Sequence, residues 1–158
     1  MNDLPPSAAT VQKAADALGL NVAVRLMPAS TRTVAEAAAA CGCPEGAIVK
    51  SLIFMGKMTG RAYLLLVSGA NRVDEKKAAE TLGEPLMRAD ARFVRTVTGY
   101  AIGGIPPIGH LQPLVPHMDG DLLQYGTVWA AAGTPNAVFA VDPKALRDAT
   151  GATMIAVA

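Results

Sequence analysis

The apolar and polar positions of this chain change period several times, and each change marks a new element. Val11, Ala14, Ala15 and Leu18 recur at helical spacing, which predicts a helix over residues 8–18, capped by Ser7 and stopped at Gly19. Residues 21–27 alternate through Val22, Val24 and Leu26, the period of a strand, and end at Pro28. Thr33-Val-Ala-Glu36 has the capping-box form, in which each side chain satisfies the other residue's backbone N–H. It predicts a short helix through the alanine-rich run toward Gly42 and Pro44, with Cys41 and Cys43 at its end.

Ile48-Val-Lys-Ser-Leu-Ile-Phe54 lies in an apolar, β-branched run over 47–55, and 61–67 repeats the character after Gly60, so the two predict a hairpin. Two capped helices follow, 74–82 from Asp74 to a stop at Gly83 and 90–97 from Asp90 to a stop at Gly99. Short strands are predicted at 114–118, 127–132 and 137–141, separated by Asp119-Gly120-Asp121 and Gly133-Thr134-Pro135-Asn136. Asp142-Pro143 puts a cap and an N1 proline in their favoured places at the start of a last helix, and 153–157 closes as a strand. Helices and strands mix without strict alternation, which makes the class mixed α/β with a largely antiparallel or mixed sheet.

The length of 158 residues suits one domain, 1–158, able to bury roughly 70% of its unfolded surface. Apolar residues are 51% of the chain, yet the longest apolar runs fall far short of the ~20 residues that span a bilayer, so no membrane partner is expected. The opening Met-Asn-Asp-Leu-Pro-Pro lacks the basic and apolar regions of a secretory signal, and a cytoplasmic location is the expectation. With a net charge of +1, any polyanion must be met by a local patch. Cys41 and Cys43 sit too close in sequence for an ordinary disulfide and suit a reducing compartment. Adding His110 and His117 gives no recognised zinc spacing, and no nucleotide-loop, dinucleotide, zinc-protease or serine-esterase motif occurs. Neither a metal nor a cofactor is expected.

What chemistry remains centres on residues 99–110, Gly-Tyr-Ala-Ile-Gly-Gly-Ile-Pro-Pro-Ile-Gly-His. Such a stretch continues neither helix nor central strand. Pro106 and Pro107 fix φ, and the N–H groups of Gly103 to Ile105 and Ile108 to His110 could converge on a carbonyl oxygen or an anion. A rigid turn between strands is the plainer alternative. Lys50 interrupts the apolar run on the face of Ile48, Leu52 and Phe54; its stem either snorkels to the sheet edge or places the ammonium in a pocket. Arg92 and Arg95 share a helix face near the loop, as phosphate contacts or as a solvated basic surface. The Gly133 turn offers the Thr134 hydroxyl and the Asn136 amide.

Thr98-Gly-Tyr-x-x-Gly-Gly-Ile-x-Pro-x-Gly109, preceded by Ile48-Val-Lys-Ser-Leu and followed by the Gly133 turn and the Asp142-Pro143 helix, resembles the YbaK/EbsC family. These are trans-acting aminoacyl-tRNA deacylases related to the editing insertion domain of bacterial prolyl-tRNA synthetases. The resemblance implies a single mixed α/β domain with a curved, barrel-like sheet. It also implies ester hydrolysis on a tRNA 3′ end carrying a mischarged amino acid, tRNA-Pro or a related tRNA, with a synthetase as a further partner. Lys50, Gly103 and Gly104 match the catalytic positions; Tyr100, Ile105, Pro106, Pro107, Ile108, Gly109, His110, Gly133, Thr134 and Asn136 match or flank the substrate-binding loops. The competing expectation is a non-catalytic nucleic-acid or small-molecule binding protein on the same fold. An aromatic content of 4% counts against a module that relies on base stacking.

Overall fold

The computed structural model describes residues 4–158 as a single mixed α/β domain, in which one eight-stranded mixed sheet carries five α-helices. Met1, Asn2 and Asp3, part of the N-terminal stretch read above, lie outside the described residues. No helix among the described residues is long and apolar enough to cross a membrane.

Helix α1 (Pro6–Ala17) begins earlier than its apolar period indicates, because Pro6 at the first turn presets the helical φ; Ser7 therefore lies inside the helix and is not its cap. Strand β1 shrinks to Arg25–Leu26. The Gln12 side chain accepts from Val24 N (2.8 Å) and donates to Val22 O (3.0 Å), so a helix side chain takes the main-chain bonds a ladder would have supplied. Helix α2 (Val34–Cys41) carries both capping-box bonds, Glu36 N to Thr33 Oγ1 and Thr33 N to Glu36 Oε1, each 3.1 Å. The hairpin is β2 (Ile48–Gly56) with β3 (Ala62–Ser68), followed by α3 (Glu75–Leu82) and a strand absent from the sequence reading, β4 (Leu86–Arg88). Then come α4 (Ala91–Thr98), β5 (His117–Asp119), β6 (Val128–Ala131), β7 (Ala137–Val141), α5 (Pro143–Thr150) and β8 (Thr153–Ile155). The Asp119-Gly120-Asp121 segment, read as a plain turn, leads into a 3-10 helix over Gly120–Gln124.

The strand order is β1-β7-β6-β2-β3-β5-β8, with β4 on β2 off this path. Alternation along β2 and β3 divides the core. Val49, Ile53, Leu64 and Leu66 pack with Val11, Phe139 and Leu146, while Phe54, Tyr63, Leu65 and Val67 pack with Ala78, Ile155 and Val157. Each such fully buried large side chain stabilises the fold by about 1.5–3 kcal/mol.

One feature of the ladder positions the site. Along its edge away from β3, β2 pairs in parallel with β6 at Ile48 and Val49 and antiparallel with β4 from Phe54 to Gly56. Among the described residues Lys50, Ser51, Leu52 and Ile53 have no strand partner on that edge, although Ile53 O accepts from Ala89 N (3.4 Å) just past β4. The sheet forks there, and backbone groups that a strand would normally cover face the gap.

A buried carboxylate closes the far end of the hairpin. Glu84 accepts from Tyr63 Oη (2.6 Å), Thr59 Oγ1 (2.7 Å), Met58 N (3.0 Å) and Thr59 N (3.1 Å). A Cβ added to Gly56 would lie 2.3 Å from Glu84 Cδ, which explains the glycine. The Tyr63 hydroxyl first, and Thr59 second, hold the Glu84 carboxyl down to about 2. A carboxyl depressed by folding stabilises above its unfolded pKa of about 4.3 and loses that contribution as pH falls toward the folded value. Thermal melts between pH 7 and pH 2 should therefore show an acid-side loss for the wild type that Glu84→Gln shows less, the variant starting lower at pH 7. Parallel acid limbs for the two proteins would refute this.

Candidate functional site

Where the sheet forks, a cavity of about 520 Å³ opens, within the range of small-ligand sites. Its walls are β2 from Ile48 to Phe54, Trp129 to Ala131 of β6, Arg88 and Ala89 at the end of β4, the entry to α2, Arg72 and Val73, and Ile102, Gly103 and Ile105 of the Gly-Pro loop. The lining is mainly apolar, with hydroxyls from Thr31, Thr33 and Ser51. Among the described residues four cations line it, Arg32, Lys50, Arg72 and Arg88, and no Asp or Glu does.

Lys50 is half-buried and lines this wall. Its Nζ donates to the Asn71 carbonyl oxygen. The Asn71 amide in turn donates to Asp119 and to Asp121, each at 2.8 Å, and the buried Asp119 also accepts from Ser68 N (3.0 Å). Burial pushes the Lys50 ammonium below its ordinary pKa, the Arg72 charge acts in the same direction, and Asp119 opposes them. The cation is thus held from behind by a connected polar network, at an electrostatic cost to the empty protein.

The Gly-Pro loop is built differently from the sequence expectation. Gly104 does not have a positive φ; Gly103 (φ 100) and Gly109 (φ 80) do. The Gly104 N–H donates to Ala101 O (3.1 Å) and its carbonyl accepts from Gly133 N (2.9 Å). A Cβ at Gly104 would stand 3.1 Å from both Gly133 C and Thr134 N, so this glycine lets the Gly133 turn close onto the loop. Its N–H is consumed and is not a free donor. Gly103 and Ile105 do line the cavity, and their N–H groups have no acceptor among the described residues.

The remaining residues of the two loops hold them together. Tyr100 Oη donates to Gly109 O (2.8 Å), and its ring meets that of His110 edge-on at 6.4 Å. His110 Nε2 bonds Pro106 O (2.7 Å), and burial lowers the imidazole pKa. Pro106, Pro107 and Ile108 are buried beneath. Thr134 Oγ1 donates to Asn136 Oδ1 (3.1 Å) and Asn136 Nδ2 to Met27 O (3.1 Å), so both polar groups serve the turn. None of these residues lines the cavity, and neither do Arg92 and Arg95, which are exposed on α4; that helix contributes Val94.

Sequence reasoning missed Arg32, Arg72, Arg88 and Ser51. The three arginines come from separate connections and a strand too short to recognise, so no spacing links them. Ser51 adjoins Lys50, and its buried Oγ has no hydrogen-bond partner among the described residues. Cys41 and Cys43 are free, burial pushes the Cys41 thiol up to about 11, and no group of three His, Cys, Asp or Glu suited to a metal ion comes together among the described residues.

Comparison with known proteins bears on this geometry. The family model described as the aminoacyl-tRNA editing domain matches residues 28–149, which include all the cavity walls. A solved structure described as "a putative trans-editing enzyme for prolyl tRNA synthetase" is 50% identical, with a TM-score of 0.92 over 98% of both chains. The "Putative Cys-tRNA(Pro)/Cys-tRNA(Cys) deacylase EbsC" of Enterococcus faecalis is 27% identical over 122 residues, covering 77% of this chain and 72% of that one. The uncharacterized protein YwhH of Bacillus subtilis is 31% identical over 119 residues, 75% of each. With the family model spanning most of its length and the forked sheet inside the matched region, this chain belongs to the aminoacyl-tRNA editing domain family.

Proposed function

We propose that this chain is an editing deacylase that hydrolyses the ester joining a mischarged amino acid to the 3′ end of a tRNA, tRNA-Pro or a related one, in the cytoplasm. The observation that carries the reading is the combination in one cavity of an apolar wall, an anchored Lys50 and the loop residues Gly103 and Ile105, whose N–H groups have no acceptor among the described residues. Water adds to the ester carbonyl carbon, the acyl C–O bond breaks, and the released ribose hydroxyl takes a proton from the attacking water, directly or through the substrate's own amine. Among the described residues neither a carboxylate nor a histidine lines the cavity, which supports a relay supplied by the substrate. The two N–H groups hold the developing oxyanion, an interaction worth roughly 10²–10³ in rate per donor in comparable sites. Lys50 holds a phosphate or sugar oxygen of the terminal nucleotide as a point charge. Tyr100, Gly104, Pro106, Pro107, Ile108, Gly109 and His110 act by fixing the loop, and Gly133, Thr134 and Asn136 by clasping it. A synthetase that charges the tRNA is the natural supplier of substrate, and Arg92 and Arg95 lie where more distant tRNA phosphates could be met.

Single-turnover deacylation over tRNAs charged with proline, alanine, cysteine, serine and threonine tests the reading. The expected result is release of at least one non-cognate amino acid at a rate far above spontaneous hydrolysis, with correctly charged tRNA spared. Tight binding of every charged tRNA without release would instead favour a non-catalytic binding protein.

A further inference from the structure

The basic groups around the cavity exceed what one substrate carbonyl requires. Arg32, Arg72 and Arg88 join Lys50 in a lining to which no described residue contributes a carboxylate, in a chain whose overall balance is only +1. Among the described residues Arg32, Lys50 and Arg72 form no ion pair, and Arg88 makes only a long, exposed contact with Glu75 at 3.6 Å. The three arginines reach the cavity from different directions. Arg32 precedes α2, and its stem lies on the loop, where a Cβ at Gly103 would come 2.9 Å from Arg32 Cγ. Arg72 follows Asn71, the residue that anchors Lys50, and its charge is felt there. Arg88 ends β4, in register with Phe54 on the opposite side of the fork.

Like charges gathered around a partly apolar cavity repel one another, and the arrangement is relieved when an anion enters. Guanidinium groups suit phosphate oxygens because their planar donors bond two oxygens at once. We propose that Arg32, Arg72 and Arg88 form a phosphate-recognition arc at the mouth of the cavity, so that what enters is the 5′-phosphorylated terminal nucleoside of an RNA. The inference rests on the editing reading for its choice of RNA; the arc itself rests on the charges. The arginines are positioning residues. They bring the terminal nucleotide to Lys50 and the loop, and their loss acts on KM more than on kcat.

Calorimetric titration with adenosine 5′-monophosphate, adenosine, inorganic phosphate and a short RNA ending in adenosine, on wild type and on Arg32→Gln, Arg72→Gln and Arg88→Gln singly and together, tests the arc. Expected is a preference for the monophosphate over adenosine of about tenfold at low ionic strength, shrinking as salt rises, and lost in the triple variant. The short RNA should bind more tightly than either mononucleotide or inorganic phosphate. Equal binding of adenosine and its monophosphate, a preference that survives in the triple variant, or inorganic phosphate binding as tightly as the RNA would each overturn the proposal. A second arm compares hydrolysis of a 3′-aminoacyl adenosine with and without its 5′-phosphate. The expected result is a lower KM for the phosphorylated ester that the triple variant loses. Hydrolysis of both esters with equal KM overturns the arc and leaves the editing reading intact. If neither ester is hydrolysed while the monophosphate preference persists, the arc is upheld and the editing reading falls.

Discussion

Lys50→Met is expected to lower single-turnover deacylation more than a hundredfold while leaving the thermal melting temperature unchanged or raised. The two halves of this expectation have one cause. Lys50 is half-buried on the unpaired edge of β2, without a carboxylate in ion-pair range among the described residues, and both burial and Arg72 disfavour its charged form. A depressed lysine pKa means that folding opposes protonation, so below the folded pKa the charged side chain subtracts from stability, and the penalty fades as pH rises through that value. Methionine keeps the stem's volume and removes the penalty. The bond to the Asn71 carbonyl is lost, a net cost of about 1 kcal/mol, which the relief of desolvation offsets. Function at the expense of stability is a common signature of a site group, and a merely structural lysine would behave in the opposite way. Lys50→Arg should not restore the rate, because a planar fork cannot occupy the place of a compact ammonium held by one carbonyl oxygen. Wild-type turnover in a folded Lys50→Met protein would remove the residue from the mechanism.

The parts of the structure legible in the sequence are those fixed by short-range bonding. Thr33 and Glu36, Asp74, Asp90 and Asp142 all cap helices where their spacing indicates, and Gly42, Gly83 and Gly99 end helices with positive φ. The central hairpin was equally visible, since its alternation is enforced by burial on both faces. Illegible features depend on partners distant in the chain. Nothing local in residues 21–27 shows that Gln12 will take the bonds of Val22 and Val24 and leave a strand of two residues. The forked edge of β2 depends on β4, too short for a pattern of its own, and on β6, more than seventy residues later in the numbering, so the cavity could not be drawn from the sequence. Lys50 was legible because a lysine is anomalous in an apolar run. The arginines were not, since exposed arginines are ordinary anywhere. The resemblance in the Gly-Pro loop draws attention to this segment of chain, while the contact of Gly104 with the Gly133 turn, and the Gly103 and Ile105 N–H groups left without an acceptor among the described residues, required the Gly133 backbone to be seen against it.

That contact with the Gly133 turn separates two adjacent glycines. Gly104→Ala places a methyl group 3.1 Å from backbone atoms of both Gly133 and Thr134, neither the mobile end of a side chain, so the two loops must part and the Gly133 N–H to Gly104 O bond must lengthen. The expected result is a lower melting temperature together with a deacylation rate reduced on the order of a hundredfold, because the Gly103 and Ile105 donors move with the loop. Gly103→Ala acts otherwise. Its φ of 100° is one that side-chain-bearing residues rarely adopt, at a cost of about 1–3 kcal/mol. The new methyl group also presses on Arg32 Cγ, a flexible stem that can swing away. Gly103→Ala should therefore raise KM through the displaced arginine as well as lower kcat through the tilted N–H, whereas Gly104→Ala should lower kcat with little change in KM. Ile105→Ala keeps its backbone donor and removes only buried apolar surface, so it should cost stability and fit but retain most of the chemical step. Single-turnover kinetics over a range of substrate concentrations, with melts on each variant, distinguish the three. Full activity in a folded Gly104→Ala protein alongside a dead Ile105→Ala protein would show that the loop works through its side chains, and the backbone donors would lose their role.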